Sequence, residues 1–99
     1  MDKSEIVALE RDKIQKALQS SDIEKVYFNG FSCSIGIGDI VLTLYKNGEP
    51  IKVLNSSFTV AKTLAIKLQQ VVQHIEKKTE HDIMTTDFIQ SKLKEPETK

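Results

Sequence analysis

The dipeptide Asn47-Gly48 constrains the fold of this chain more than any other feature of its sequence. It separates two strand-forming runs, DIVLTLY and PIKVLN. A type I′ turn needs positive φ at both central positions, which asparagine and glycine tolerate best. A two-residue loop here pairs Lys46 with Glu49, so that opposite charges face each other across the turn. The sequence therefore predicts a β-hairpin, in which the apolar pairs are Leu44 with Ile51 and Leu42 with Val53.

A third strand precedes the hairpin, in the run KVYFNGFSCSI. A two-residue loop at Gly36-Ile37 pairs Cys33 with Ile40, whereas a three-residue loop pairs Cys33 with Val41. The longer loop puts the apolar sets of the two strands on opposite faces, so we expect the shorter one. One face, called the apolar face below, then carries Phe31, Cys33, Ile35, Ile40, Leu42, Leu44, Ile51 and Val53. The opposite face, called the mixed face, carries Phe28, Gly30, Ser32, Ser34, Val41, Thr43, Tyr45, Lys52 and Leu54.

Two helices are predicted to flank the strands. Residues 2–19 form the first, because Asp2 followed by Glu5 has the form of a capping box, with Asp in the role usually given to Ser or Thr. The second begins after an N-cap at Ser56 or Ser57. Its apolar residues recur at alternating spacings of four and three, which gives a stripe wide enough to cover a three-stranded sheet. The stripe consists of Ala61, Ala65, Leu68, Val72 and Ile75, flanked by Leu64 and Val71.

These elements define an α+β fold with an N-terminal helix, a three-stranded antiparallel β-meander, a long packing helix and a flexible C-terminal tail. The length of 99 residues favours one domain, which we place at residues 1–80. Residues 81–99 are predicted to be a flexible tail that has room for a short helix from about Thr86 to Lys94. The last six residues, KEPETK, have the composition of a disordered terminus.

The composition argues against several classes of function. Lys plus Arg and Asp plus Glu each number 14, so the net charge is zero and the chain lacks the broad positive field typical of proteins that bind nucleic acid or acidic membranes. Cys33 is the only cysteine, which fits a reducing compartment. The charged N-terminus is not a signal peptide, and no window has the roughly 20 apolar residues of a membrane span. We expect a cytoplasmic protein without a membrane partner.

No catalytic, cofactor or metal site is predicted. The loop Gly36-Ile37-Gly38 lacks the third glycine of a dinucleotide fingerprint, because Val41 stands in its place. Cys33 could be a nucleophile with His74 or His81 as its base, but its place on the apolar face favours a buried small hydrophobe. The two histidines lie seven residues apart, whereas metal ligands on one helix are usually four or three apart. We expect a protein that is not an enzyme.

The mixed face carries the main functional prediction. One covering helix leaves its apolar members partly exposed, and exposed apolar patches larger than a few hundred Å² usually mark an interface. The outer strands, residues 25–35 and 50–55, also offer unpaired backbone groups to another chain. We therefore expect a homo-oligomer, a dimer or larger, that acts as a binding or regulatory adaptor through protein–protein contacts. The expected interface residues are Phe28, Val41, Tyr45, Lys52 and Leu54.

The alternative function is binding of single-stranded nucleic acid by the sheet, where exposed aromatic rings stack on bases within a basic groove. The lysines are few and Phe31 belongs to the apolar face, so the electrostatic requirement is poorly met and nucleic acid is the less favoured partner. The residues that could contribute are Tyr27, Phe28, Phe31, Tyr45, Lys25, Lys46 and Lys52.

Three short motifs lie within residues 26–76: Asn29-Gly30-Phe31 in the first strand, Ser57 before the second helix, and Ala61-Lys62-Thr63-Leu64 within it. With these motifs the segment resembles small bacterial strand-strand-strand-helix domains of unknown function. The resemblance implies a compact sheet-and-helix domain with no assigned activity. The element order is also similar to half of a Whirly or Pur-type unit that binds single strands, although those units have an additional strand and a more basic sheet.

Overall fold

The computed structural model of the protein describes residues 2–94, which form three helices and three strands. The strands make one antiparallel sheet in the order β1-β2-β3. The predicted α+β fold, with an N-terminal helix, a β-meander and a long following helix, is confirmed. The elements in chain order are α1 (Lys3–Gln19), β1 (Gly30–Ile35), β2 (Ile40–Lys46), β3 (Glu49–Ser56), α2 (Phe58–Thr79) and α3 (Thr86–Lys94).

Helix α1 begins at the predicted cap. The Asp2 carboxylate accepts a hydrogen bond from the Glu5 backbone N–H at 2.9 Å and another from the Ser4 hydroxyl at 2.7 Å. These donors, the Glu5 N–H above all, stabilise the charged carboxylate and lower the pKa of Asp2 below its usual value. Asp2 therefore satisfies one of the N–H groups that a helix leaves without a partner in its first turn.

The hairpin of β2 and β3 forms as predicted. Asn47 and Gly48 are its two loop residues, with φ of 53° and 86°. Positive φ at both positions is the signature of a type I′ turn, whose twist matches that of the flanking strands. Because β2 ends at Lys46 and β3 begins at Glu49, the predicted pairing of these two residues is confirmed.

A residue from outside the hairpin holds its turn in place. The Asn29 side chain accepts a hydrogen bond from the Asn47 backbone N–H and donates one to Asn47 Oδ1, each at 2.9 Å. The Asn29 backbone N–H also donates to the Tyr45 carbonyl at 3.0 Å. The residue that precedes β1 therefore stabilises the positive-φ conformation of Asn47, a role that the sequence analysis did not predict.

The connection between β1 and β2 differs from the predicted loop at Gly36-Ile37. The Gly36 N–H donates to the Asp39 carbonyl at 2.9 Å, which puts these two residues opposite each other. The glycine with positive φ is Gly38, at 87°, so the turn lies one residue further along the chain. A side chain at Gly36 would collide with the Asp39 carboxylate, which explains why glycine is required there as well.

The register of β1 on β2 is consequently shifted by two residues. The predicted pairing of Cys33 with Ile40 is wrong, since Ile35 lies opposite Ile40. At the far end of β1, a Cβ on Gly30 would lie 3.5 Å from the Tyr45 Cβ, which fits the same register. Because the shift is even, each side chain of β1 keeps its predicted face. Accordingly Ser32 Oγ and Tyr45 Oη, both assigned to the mixed face, lie 3.4 Å apart. Phe28, which was also assigned to the mixed face, precedes β1 and does not belong to the sheet.

The second helix also begins at a predicted cap. The Ser57 hydroxyl accepts a hydrogen bond from the Val60 N–H at 3.1 Å, and the helix ends before Glu80, which adopts the left-handed conformation with φ of 59°. The Glu76 carboxylate then accepts a hydrogen bond from the Ile83 N–H at 2.8 Å. Helix α3 confirms the predicted short helix. Lys94, the first of the six residues predicted to be disordered, is the last residue of α3, and residues 95–99 lie outside the described residues.

The structure buries far less of the chain than the sequence predicts. Leu44, with 6% of its surface exposed, is the one buried hydrophobic residue among residues 2–94. Phe31 of the apolar face is 63% exposed, Cys33 is exposed, and α2, predicted to cover the sheet, has no buried residue. The residues of the apolar face, Leu44 excepted, therefore keep part of their surface exposed. Periodicity identifies which side chains can be buried, not which surface covers them.

The described residues divide into two units. The first contains residues 2–33 and 42–54, which include α1 and the Asn47-Gly48 hairpin. The second contains residues 34–41 and 55–94, which include the turn between β1 and β2 and the helices α2 and α3.

Candidate interface

Four of the five predicted interface residues lie in the first unit. Phe28 and Leu54 are 46% and 42% exposed, whereas Tyr45 and Lys52 are half-buried. The Lys52 ammonium group forms an ion pair with the Glu24 carboxylate, so a neighbouring segment of the same chain neutralises this charge. The mixed face is therefore partly covered by its own chain.

The fifth predicted residue, Val41, lies in the second unit and is half-buried. Its Cγ2 atom lies 3.4 Å from the position that a Cβ on Gly36 would occupy, so Val41 contacts the turn that follows β1. We describe it separately from the other four, because it belongs to a different unit.

The apolar face has more exposed surface than the mixed face. In the first unit its exposed members are Phe31, Cys33, Ile51 and Val53, all on the two outer strands. Leu44, on the central strand, is buried. These four residues were not predicted as interface residues, because the sequence pattern assigned them to an internal core.

The helices of both units also expose apolar side chains. No residue of α1 is buried, and its large apolar side chains, Ile6, Ile14 and Leu18 among them, are exposed. In the second unit, α2 and α3 likewise have no buried residue. The exposed large apolar residues of α2 are Phe58, Val60, Leu64, Ile66, Leu68, Val71, Val72 and Ile75.

Exposure extends to most of the large hydrophobic side chains in both units. Twenty-seven large hydrophobic residues of the described chain are exposed.

The free edges of the sheet are chemically unequal. In β3, alternate residues direct their backbone groups away from β2, and the turn register assigns this outward role to Pro50, Lys52 and Leu54. Proline has no N–H to donate, and lysine on an edge strand discourages pairing with another chain. The edge of β3 is therefore protected.

Strand β1 lacks such protection. Its sequence, GFSCSI, contains no charged residue and no proline. The contacts of Gly30 and Gly36 with β2 assign the even-numbered residues to that pairing, so Phe31, Cys33 and Ile35 direct their backbone groups to the free edge. All three side chains are exposed, Ile35 to 80%. An uncharged, exposed edge strand of this kind is a template for pairing with another strand.

The residues considered for catalysis or metal binding form no recognisable site. Cys33 is exposed rather than buried, and neither Cys33 nor His74 makes a side-chain hydrogen bond within residues 2–94. The described chain contains no cluster of three His, Cys, Asp or Glu side chains able to hold a metal ion. The Gly36–Gly38 segment connects two strands and has the Asp39 carboxylate beside it, which disfavours a bound phosphate. None of the helices described is long and apolar enough to cross a membrane.

No protein-family model, curated protein or solved structure matches this chain. The resemblance of residues 26–76 to small bacterial domains therefore stays a prediction, which rests on the three motifs that define it. The structure adds a physical role for two of them, since Asn29 holds the hairpin turn and Ser57 caps α2.

Proposed function

We propose that this protein is a non-enzymatic binding or regulatory adaptor that works as a homo-oligomer through protein–protein contacts. The observation that carries the proposal is the apolar surface left exposed in both units, with Leu44 as the one buried hydrophobic residue among those described. Removal of apolar surface from water is the main favourable term in folding and in association. A chain whose apolar residues stay exposed gains this favourable free energy when copies of it associate and bury them.

The number of exposed apolar side chains indicates what kind of association to expect. Obligate interfaces are the large and hydrophobic ones, which bury about 2,000–5,000 Å² in total or more. Chains in obligate oligomers often have no stable folded monomer. Folding and association are therefore expected to occur together, in an oligomer whose remaining free surfaces bind other proteins.

Sedimentation velocity of the full chain at tens of micromolar tests the proposal. We expect the main species to have at least twice the chain mass of 11.2 kDa, because a monomer would leave the apolar residues in water. A folded species of 11.2 kDa at that concentration would contradict the proposal.

The alternative, binding of single-stranded nucleic acid, is favoured by the exposure of Tyr27, Phe28 and Phe31. Against it, Lys52 is paired with Glu24, and the Lys25 ammonium group donates to the Ser20 carbonyl. A labelled oligonucleotide added to the same sedimentation samples at low salt tests this function. Binding that strengthens as salt falls would support it, since phosphate contacts release counterions. An oligonucleotide that sediments free at every salt concentration would exclude it.

A further inference from the structure

The proposed self-association leaves open which element joins the copies, and the edge of β1 answers that question. We propose that β1 of one copy pairs antiparallel with β1 of a second copy, with Cys33 on the two-fold axis. The pairing joins two three-stranded sheets into one sheet of six strands. This inference rests on the proposed function, because it requires that the chain self-associates.

The choice of β1 over β3 follows from the chemistry of their edges. Pro50 and Lys52 protect the edge of β3, and the Glu24 carboxylate is already bound to Lys52 there. The six residues of β1 include no proline and no charged residue. An unprotected edge strand must be covered or paired to avoid uncontrolled association. Pairing with the same strand of a second copy satisfies its backbone groups and closes the assembly at two copies.

The register follows from which residues direct backbone groups outward. These are Phe31, Cys33 and Ile35, and an antiparallel pair of identical strands uses all three in one arrangement only. In that arrangement Cys33 lies opposite Cys33 of the second copy, and Phe31 lies opposite Ile35 of the second copy. Any other register leaves at least one outward residue without a partner.

The same register continues the apolar face across the two copies. Residues that lie opposite each other in a sheet project to the same side, so Phe31 of one copy contacts Ile35 of the other, twice around the axis. Pairs of an aromatic and a β-branched residue are among the favourable cross-strand pairs. The exposure of Phe31 at 63% and Ile35 at 80% is thereby reduced without any change in the fold of a single chain.

Disulfide cross-linking of the full chain tests the register. Cys33 is the only cysteine, and in the proposed pair its two Cα atoms are about 5.5 Å apart. That distance falls within the roughly 4.4–6.8 Å range of disulfides. With copper-phenanthroline and oxygen as the oxidant, we expect a covalent dimer on a non-reducing gel that a reducing agent converts back to monomer.

The matched control is the double substitution Cys33→Ser and Ile35→Cys. It moves the thiol two residues along the same exposed strand, so the two thiols of a dimer are four residues apart, or about 13 Å. We expect the native chain to cross-link roughly tenfold faster or more, because its thiols are held together as in an intramolecular reaction. Equal rates in a chain that sediments as an oligomer would overturn the edge pairing and leave the proposed function intact. A monomeric native chain would overturn both.

A charge exchange at the same position provides a second test that needs no oxidation. Cys33→Lys and Cys33→Glu each put like charges opposite each other on the axis, so we expect self-association roughly two- to fivefold weaker for either variant alone. An equimolar mixture should recover the affinity of a neutral Cys33→Ser chain, since lysine then faces glutamate. A mixture as weak as its two components would overturn the proposal, because it would mean that position 33 does not meet its own copy.

Discussion

Asn29 shows how much one exposed polar residue contributes to this fold. It makes three hydrogen bonds to the β2-β3 hairpin, two through its side chain to Asn47 and one through its backbone to Tyr45. The side-chain bonds fix the conformation of Asn47 at the start of the turn. These bonds attach the loop segment before β1 to the end of β2 and to the β2-β3 turn.

We predict that Asn29→Ala lowers the free energy of unfolding by about 1–2 kcal/mol, because two side-chain hydrogen bonds are lost and the Asn47 N–H must find water. Asn29→Asp should cost less, since its carboxylate still accepts from the Asn47 N–H. The measurement is chemical denaturation at one fixed protein concentration. Asn55→Ala is the control, because it removes a single bond, from Asn55 Nδ2 to Asp39 Oδ2, at 2.8 Å. Equal effects of all three substitutions would contradict the role assigned to Asn29.

Residue-scale prediction from sequence succeeded where one residue type satisfies a local geometric requirement. Asn47, Gly48, Asp2 and Ser57 all hold the positions that turn and cap chemistry assigned to them. It failed for Asn29, because its partner lies 18 residues away and no local pattern links the two. The turn after β1 was misplaced by one residue because Gly36 and Gly38 can both adopt positive φ, and only the hydrogen bond to Asp39 distinguishes them.

At the scale of elements, α1 is a helix whose start depends on a titratable group. The lowered pKa of Asp2 has a defined consequence for helix stability. A carboxyl group with a lower pKa in the folded state than in the unfolded state stabilises the fold above its unfolded pKa and loses that contribution as the pH falls through its folded pKa. The contribution is therefore complete at neutral pH and is lost in acid, as the pH falls below the usual aspartate pKa of 3.8.

We predict that helix content measured by circular dichroism falls more steeply below this pH in the native chain than in Asp2→Asn. Asparagine also caps helices but does not titrate, so it keeps the hydrogen bond to the Glu5 N–H at every pH. The difference between the two titration curves isolates the cap from the protonation of other acidic residues. Superimposable curves would show that the Asp2 carboxylate does not control the start of α1.

Helix boundaries were predictable from sequence, whereas the start of the first strand was not, because β1 begins at Gly30 and not at residue 25. The environments of the elements were not predictable either. The bounds of all three helices agree with their caps and periodicity, because those signals are local. The apolar stripe of α2 was assigned to a sheet-covering role, yet Leu64, Leu68 and Val72 are exposed. An apolar stripe indicates that another surface covers that side of the helix. It does not indicate whether the covering surface belongs to the same chain or to another.

At the scale of the whole molecule, we propose that association between copies completes folding. The sequence predicted an interface on the mixed face, from Phe28, Val41, Tyr45, Lys52 and Leu54. The structure shows the apolar face to be the more exposed one, through Phe31 and its neighbours on the outer strands. If two copies pair through β1, their sheets become one sheet. The apolar face of one copy then lies beside the apolar face of the other, and the mixed faces lie beside each other in the same way.

Thermal unfolding as a function of protein concentration tests this claim most directly. When association stabilises only the folded chain, the midpoint of unfolding rises with concentration by mass action. We therefore predict a midpoint that increases steadily over about a hundredfold range of concentration, with a smaller increase for a Phe31→Ser chain that loses apolar surface at the proposed interface. A midpoint that is independent of concentration, in a chain that sediments at 11.2 kDa, would contradict the account.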